Sequence, residues 1–147
     1  MEAPVEELPA EAREEVLPPA GGETILVVED EETIRILIQR VLETQGYQVF
    51  CASNADEAEQ NARQVGEIDL LLTDIVMPGD SGPKLYQRLA AKHPLLKALF
   101  ISGYTDQGIL QNDLLEPNMP FLQKPFAPSK LSQKVRQVLD TREMPGG

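Results

Sequence analysis

The stretch Leu70-Leu71-Leu72-Thr73-Asp74 constrains the fold more than any other part of the sequence. Its three successive leucines, with no polar residue between them, are typical of a strand that is buried on both faces. The stretch ends on a carboxylate, and Pro78-Gly79 then predicts a turn. Open α/β folds bind their ligands beyond the carboxyl ends of central parallel strands. Asp74 could simply cap a loop or could belong to a functional site, and the rest of the chain decides between the two.

Strand-like and helix-like runs alternate strictly after residue 22. The predicted strands are Thr24 to Val28, Tyr47 to Cys51, Ile68 to Thr73, Ala98 to Ile101 and Phe121-Leu122. The first predicted helix carries the apolar stripe Ile34, Leu37, Ile38, Val41 and Leu42, and the second is an Ala-rich run that begins with a capping box of Ser53 and Asp56. The third runs from Pro83 to Pro94. The fourth has a weak stripe of Ile109, Leu110 and Leu114, and the last begins at Pro128. This alternation predicts an α/β fold with a parallel sheet and helices on both faces.

The first 22 residues differ in composition from the rest of the chain. They are rich in Pro, Glu and Ala, and six glutamates against Arg13 give them five of the eleven net negative charges. Such a composition predicts a flexible acidic linker over residues 1–22. The folded domain is then expected over residues 23–141, followed by a frayed tail at 142–147.

Charge and composition exclude several classes of function. The remaining net charge of about −6 and the lack of a Lys/Arg cluster argue against a nucleic-acid-binding face. No apolar run is long enough to span a membrane, so we expect no direct membrane contact. The single cysteine, Cys51, cannot form an internal disulfide and fits a reducing cytoplasm. His93, the one histidine, precedes Pro94, and we interpret it as a surface helix terminus rather than a phosphodonor.

Three carboxylates are predicted to meet at one edge of the sheet. The first strand is followed by Glu29 and Asp30, and the third ends at Asp74. Because parallel strands present their carboxyl ends on the same edge, these acids would converge and repel one another. A hard divalent cation resolves the repulsion, and Mg²⁺ suits a few carboxylates completed by water. A solvated helix start is the alternative interpretation of Glu29-Asp30-Glu31.

The last two predicted strands add a hydroxyl and an ammonium group to the same edge. Ser102 ends the fourth strand beside Gly103, and Lys124 follows the fifth strand. The ammonium can neutralise the carboxylates and hold a phosphoryl group. Pro125 suits a peptide bond of special geometry, cis among the options, that would aim Lys124 inward. A turn Ser-Gly pair and a surface lysine are the ordinary alternatives, but polar groups at four successive strand ends are hard to attribute to chance.

The chain resembles the response-regulator receiver domain over roughly residues 23 to 141. The resemblance rests on four motifs in matching order and spacing: Val27-Val28-Glu29-Asp30-Glu31, Leu72-Thr73-Asp74-Ile75-Val76-Met77-Pro78 with Gly82, Phe100-Ile101-Ser102-Gly103, and Lys124-Pro125-Phe126. It implies a doubly wound, five-stranded sheet in the flavodoxin-like order 2-1-3-4-5.

The resemblance also implies a role for each group at the strand ends. Asp74 is the phosphoacceptor, and Glu29 and Asp30 hold Mg²⁺ together with Asp74 and the backbone carbonyl of Val76. Glu29 is longer by one methylene than the Asp more common in the family. The implied chemistry is self-phosphorylation and dephosphorylation rather than turnover of an external substrate.

Three further roles concern the phosphoryl group once it is attached. The resemblance implies that Lys124 contacts it and that Ser102 moves toward it. Phe121 is the aromatic switch that follows Ser102. These residues would couple the chemistry to the last two strands and the weak fourth helix.

The motifs around Ser102 and Lys124 are most similar to receivers fused to hybrid sensor histidine kinases. This placement implies a partner that carries phosphohistidine, either a histidine kinase or a histidine phosphotransfer domain. A stand-alone single-domain response regulator and a degenerate receiver used only for protein docking are the alternatives, and monomer and weak dimer both stay open.

Two other classes of protein share the predicted architecture. A nucleotide- or flavin-binding domain would need a Gly-rich loop after the first strand, where this chain has Glu29-Asp30-Glu31. A magnesium-dependent aspartyl phosphatase would need a second acid two residues after the nucleophile, where this chain has Val76.

Overall fold

The computed structural model describes residues 22–77, 80–103 and 120–141. The predicted stripe of Ile109, Leu110 and Leu114, the Pro78-Gly79 turn, residues 1–21 and the tail after residue 141 lie outside these ranges. The strands are β1 Thr24–Val28, β2 Gln48–Ala52, β3 Leu70–Asp74, β4 Val76–Met77, β5 Asp80–Ser81, β6 Lys97–Ser102 and β7 Phe121–Gln123. The helices are α1 Glu32–Thr44, α2 Ala55–Val65, α3 Gly82–Ala90 and α4 Pro128–Asp140.

Five strands form one parallel sheet in the order β2-β1-β3-β6-β7. If the two short strands β4 and β5 are left out and the others are renumbered, this is the order 2-1-3-4-5 that the family resemblance implies. The fold prediction is therefore confirmed. β3 lies in the middle of the sheet, and all five of its residues are buried. The antiparallel β4–β5 ribbon follows β3 directly and was not predicted.

The sheet is packed on both faces, as the alternating pattern predicted. In β1, Ile25 and Val27 face the cluster that includes residues of α1 and α4, and Leu26 and Val28 face the cluster that includes residues of α2 and α3. All four side chains are fully buried. The helices therefore fix the sheet from both sides and leave its carboxyl edge available for polar groups.

The helix boundaries follow local sequence signals, with one correction. Ser81 caps α3, and its side chain accepts the backbone N–H of Lys84. At α2 the predicted capping box is wrong by one residue: Asn54 accepts the N–H of Glu57, and Glu57 in turn accepts the N–H of Ser53. Asn54 takes the cap position because its backbone is extended and its short amide reaches the third helical N–H.

The predicted start of β2 and one predicted core position also need correction. β2 begins at Gln48 instead of Tyr47, because the Tyr47 N–H still bonds to the carbonyl of Leu42 at the end of α1. Leu37 is 39% exposed although the stripe placed it inward, since it lies at the margin of the apolar face of α1. Within the described ranges, no helix is both long enough and apolar enough to cross a membrane.

Candidate functional site

The carboxyl ends of four neighbouring strands bring polar side chains to one edge of the sheet. Glu29 follows β1, Asp74 ends β3, Ser102 ends β6 and Lys124 follows β7. The strand register aligns these ends. Asp74 of β3 pairs with Ile101 of β6, and Ser102 of β6 pairs with Gln123 of β7. The sequence prediction that these groups share one edge agrees with the structure.

Three carboxylates converge at this edge. Glu29, Asp30 and Asp74 each offer an oxygen, and these oxygens all lie within 4.8 Å of one another. Glu29 is fully buried and Asp74 is 5% exposed, whereas Asp30 is open to solvent. The cluster is therefore sealed on the protein side and accessible from the Asp30 side.

Glu29 presents one buried oxygen to which no described residue donates a hydrogen bond. Its Oε2 accepts the backbone N–H of Glu31 at 3.0 Å. Its Oε1 has no hydrogen-bond partner among the described residues, although Lys124 Nζ lies 3.3 Å away at ion-pair distance. An unsatisfied buried carboxylate oxygen is costly, and a bound cation would remove that cost. An all-oxygen set with this orphaned atom fits Mg²⁺.

Lys124 is the cation that faces the acidic cluster. Its Nζ lies 3.5 Å from Asp74 Oδ1, in addition to the contact with Glu29. The Lys124–Pro125 peptide bond is cis, and the Lys124 N–H donates to the carbonyl of Ser102 at 2.8 Å. Burial disfavours the ammonium, but Asp74 and Glu29 outweigh burial and raise the pKa of Lys124. Lys124 therefore stays charged beside the carboxylates.

Asp74 is the most perturbed acid of the cluster. Burial, followed by the charge of Glu29, raises the pKa of Asp74 to about 8, and Lys124 opposes the shift. Burial disfavours the charged carboxylate, and the neighbouring acids add repulsion because they share too little positive charge to be ionised together. A divalent cation would supply that charge and favour the ionised, nucleophilic form of Asp74.

Backbone contacts that the sequence analysis missed hold the site in place. The Thr73 hydroxyl donates to the carbonyl of Asp74 at 3.1 Å, and the Arg35 guanidinium donates to the carbonyl of Glu29 at 2.8 Å. Gly82 packs against the backbone of Asp74. Position was the only available signal for Arg35, which lies one turn inside α1 and can reach back to the end of β1.

The remaining predicted residues lie around the acidic cluster or away from it. Ser102 is fully buried, and its hydroxyl donates to the carbonyl of Gly103 at 3.3 Å. Phe121 is 41% exposed at the start of β7, and Val76 is 42% exposed two residues after Asp74. His93 follows α3, the helix that begins at the site, and its N–H donates to the carbonyl of Leu89 as expected for a helix terminus.

Comparisons with known proteins agree on one family. The family described as the response regulator receiver domain matches residues 25–136. The sensor kinase CckA of Brucella abortus is 34% identical over 125 residues, which are 84% of this chain and 13% of that kinase. The chain is thus similar to one part of a much longer protein.

Solved structures give the same result. The crystal structure of the receiver domain from the hybrid histidine kinase CckA has a TM-score of 0.66 and 33% identity, covering 80% of this chain and 99% of that one. A response regulator receiver domain protein from Clostridium thermocellum has a TM-score of 0.70 and 27% identity, covering 80% and 94%. Both similarities cover four fifths of this chain.

Proposed function

The chain belongs to the response regulator receiver domain family of two-component signal transduction, and on that basis we propose that Asp74 accepts a phosphoryl group from a phosphohistidine. One observation carries the assignment. Asp74 is a nearly buried carboxylate that lies 3.5 Å from the Lys124 ammonium and within 4.8 Å of two further acids. Phosphoryl transfer depends mainly on positioning and charge neutralisation, and these groups supply both.

Mg²⁺ would be held by Glu29, Asp30 and Asp74 together with the backbone carbonyl of Val76. When bound, it would neutralise charge on the transferred phosphoryl oxygens and orient them. The orphaned Glu29 Oε1 and the access from the Asp30 side support this placement.

In the proposed reaction an Asp74 carboxylate oxygen attacks phosphorus. The new O–P bond forms as the P–N bond of the phosphohistidine breaks, and the imidazole leaves with the electron pair and is protonated by solvent. Lys124 contacts the transferred oxygens, a contact that its present distances to Asp74 and Glu29 support. Hydrolysis of the acyl phosphate later restores the Asp74 carboxylate and releases phosphate.

The phosphorylated site would be read through Ser102 and Phe121. Among the described residues, the Ser102 hydroxyl makes one long hydrogen bond, to the carbonyl of Gly103, which it can exchange for a phosphoryl oxygen. Phe121 is two-fifths exposed on β7, next to β6, and would move inward once Ser102 has moved. The phosphoryl group can shift the conformational equilibrium only if it interacts more strongly with one conformation than with the other. The hydrogen bond from the Ser102 hydroxyl would supply that difference.

The native partner would be a histidine kinase or a histidine phosphotransfer domain, and the chain would serve as the receiver of a hybrid sensor histidine kinase in the cytoplasm. Similarity at 33–34% identity to a sensor kinase and to the receiver of a hybrid kinase supports this placement. Residues 1–22 would then be the acidic linker ahead of a receiver domain at 23–141. Neither a nucleic acid nor a membrane is needed as a direct partner.

Intact mass after incubation with acetyl phosphate and Mg²⁺ tests the proposed function. Wild type should gain one phosphoryl group, Asp74→Asn should gain none, and Asp56→Asn, which changes an exposed acid of α2, should behave as wild type. Equal uptake by Asp74→Asn would overturn the assignment. No uptake by wild type would favour a receiver that serves only as a docking module.

A further inference from the structure

A groove of about 500 Å³ lies between the carboxyl-terminal halves of α2 and α3. Its apolar floor includes Ala62 and Leu89, and its charged lining residues are three cations, Arg63, Arg88 and Lys92, and one acid, Glu59. We call it the α2–α3 groove. It stands apart from the acidic cluster, because α3 starts at the site and the groove lies around the other end of that helix.

In the part of the chain that the structure describes, two cations of the α2–α3 groove have no ion pair. Arg88 is already paired, with Glu59 at 2.9 Å and with Asp80 at 2.7 Å. Within the described ranges, Arg63 and Lys92 have no carboxylate within ion-pair distance. The helix dipole stabilises positive charge at the carboxyl end of a helix, which explains the position of these residues. It does not explain why the apolar floor between them is left uncovered. On a chain with a net charge of −11, the groove is a local positive exception.

We infer that the acidic segment, residues 1–21 of this same chain, docks in the α2–α3 groove. The segment carries five net negative charges. Its acids adjoin apolar residues twice, in Glu6-Glu7-Leu8 and in Glu14-Glu15-Val16-Leu17. Carboxylates beside apolar side chains match cations beside an apolar floor, so the segment and the groove are complementary in both charge and hydrophobicity.

The segment joins the folded domain close to the groove. Its last residue precedes Gly22, and Thr24 exchanges two hydrogen bonds of 2.9 Å with Asp69. Gly66, at the end of α2, lines the groove only three residues before Asp69, a span of at most about 11 Å. The chain from Glu15 to Glu23 can extend over about 26 Å, which is enough to reach the groove.

A neighbouring groove shows why charge selects the site. It has a volume of about 570 Å³, and Phe50 and Thr24 line it, so it lies directly at the start of β1. Its only charged lining residue is Glu67, which would repel the acidic segment. The segment should therefore prefer the α2–α3 groove to a cavity of similar size and proximity.

Tethering allows a weak contact to be populated. A segment linked through a short flexible connection has an effective concentration in the millimolar range, so modest affinity is sufficient. Each exposed charge pair changes an affinity by roughly two- to fivefold, and salt screens it over about 10 Å at 0.1 M and about 3 Å at 1 M. The docked state should therefore dissociate as salt rises while the domain stays folded.

Backbone amide chemical shifts of the full chain test the inference. The reference is wild type, and the comparison is a full-length variant in which the glutamates at 6, 7, 11, 14 and 15 are replaced by glutamine. At low salt the two should differ at the amides of Arg63, Gly66, Lys92 and His93, and the differences should vanish at 1 M salt. A full-length variant that keeps the native acidic segment but carries Arg63→Glu and Lys92→Glu should lose the chemical shifts of the docked state. The matched control, Lys130→Glu with Lys134→Glu on α4, should retain them.

Other outcomes would overturn the inference. These are identical spectra for wild type and the glutamine variant, differences centred on Phe50 and Gln48, or equal loss of the docked shifts in the α4 control. Shifts that grow with protein concentration would show that a second copy supplies the acidic segment, which also contradicts docking within one chain.

Discussion

Gly82 lies so close to Asp74 that a Cβ on Gly82 would overlap the backbone oxygen of Asp74. The same Cβ would come within 2.9 Å of Thr73 Cγ2, and the Gly82 N–H donates to the carbonyl of Ile75 at 2.8 Å. The start of α3 therefore rests directly on the end of β3. The position of Asp74 depends on a neighbour that carries no side chain.

Gly82→Ala should lower the free energy of unfolding by about 1–3 kcal/mol, because the added methyl group meets backbone that cannot move aside. It should also slow phosphoryl uptake by displacing Asp74. Denaturant unfolding and intact mass measure the two effects. Gly22→Ala is the control, since nothing lies within 4 Å of its added Cβ. Wild-type stability in Gly82→Ala would show that the segment relaxes freely.

Asp30→Ala should weaken Mg²⁺ binding and at the same time raise the stability of the metal-free protein. Asp30 is the open member of the acidic cluster, and its loss removes both a ligand and a repelling charge. In wild type, Mg²⁺ at a hundred times its dissociation constant should stabilise the fold by about 2.7 kcal/mol. Thermal unfolding with and without Mg²⁺ provides the measurement.

Glu67→Ala, which removes an exposed acid outside the acidic cluster, is the control for Asp30→Ala. It should leave the Mg²⁺-dependent stabilisation unchanged. An identical Mg²⁺ titration for wild type and Asp30→Ala would mean that the metal binds elsewhere.

Arg88→Met should make the protein less stable at neutral pH but not in acid. The Arg88 hydrogen bond holds the pKa of Asp80 below its ordinary value of 3.8, against a smaller opposing effect of burial. An acid with a lowered folded pKa stabilises the fold above its unfolded pKa, and this contribution is lost as pH falls through the folded value. Because the pair is partly exposed, we expect only about 0.2–1 kcal/mol.

Urea unfolding of Arg88→Met and wild type at neutral pH and below pH 3.8 measures that difference. Arg40→Met, on the exposed side of α1, should show no pH-dependent loss. A loss in Arg88→Met that is equal at both pH values would assign the effect to side-chain packing instead of the ion pair.

Ser102→Ala should still accept a phosphoryl group but should not transmit its presence. The chemistry uses Asp74, Lys124 and the metal, whereas the Ser102 hydroxyl would contact the phosphoryl group only after transfer. A hydrogen bond to a charged acceptor contributes roughly 1.5–3 kcal/mol, about a ten- to hundredfold shift in a two-state equilibrium. Hydrogen exchange over residues 104–126, with and without a beryllofluoride mimic of the aspartyl phosphate, measures the response.

The control for Ser102→Ala is Thr44→Ala, which removes an exposed hydroxyl at the end of α1. It should respond to beryllofluoride as wild type does. If Ser102→Ala also responds as wild type, the coupling runs through other residues.

The sequence predicted the polar residues of the site better than the packing contacts that hold them in place. Glu29, Asp74, Ser102 and Lys124 follow or end strands of the sheet, and strict alternation places such ends on one edge. The contacts of Gly82 with Asp74 and of Arg35 with Glu29 join elements whose approach depends on packing, which no local pattern encodes.

Local errors in the predicted elements have local causes. Asn54 and Ser53 are both acceptable caps for α2, and only the extended backbone of Asn54 decides between them. Leu37 fits the period of the α1 stripe, but a period does not say how wide a face the sheet covers. The two short strands β4 and β5 were indicated in the sequence only by the Pro78-Gly79 signal between them.

Chemical mapping of the phosphorylated residue identifies the phosphoacceptor in the wild-type protein. Borohydride reduces an aspartyl phosphate to homoserine, and peptide sequencing by mass spectrometry then locates the altered residue. After incubation with acetyl phosphate and Mg²⁺, homoserine should appear at position 74 alone and should be absent when either reagent is omitted. Homoserine at position 30 or at any other aspartate, with Asp74 intact, would contradict the account.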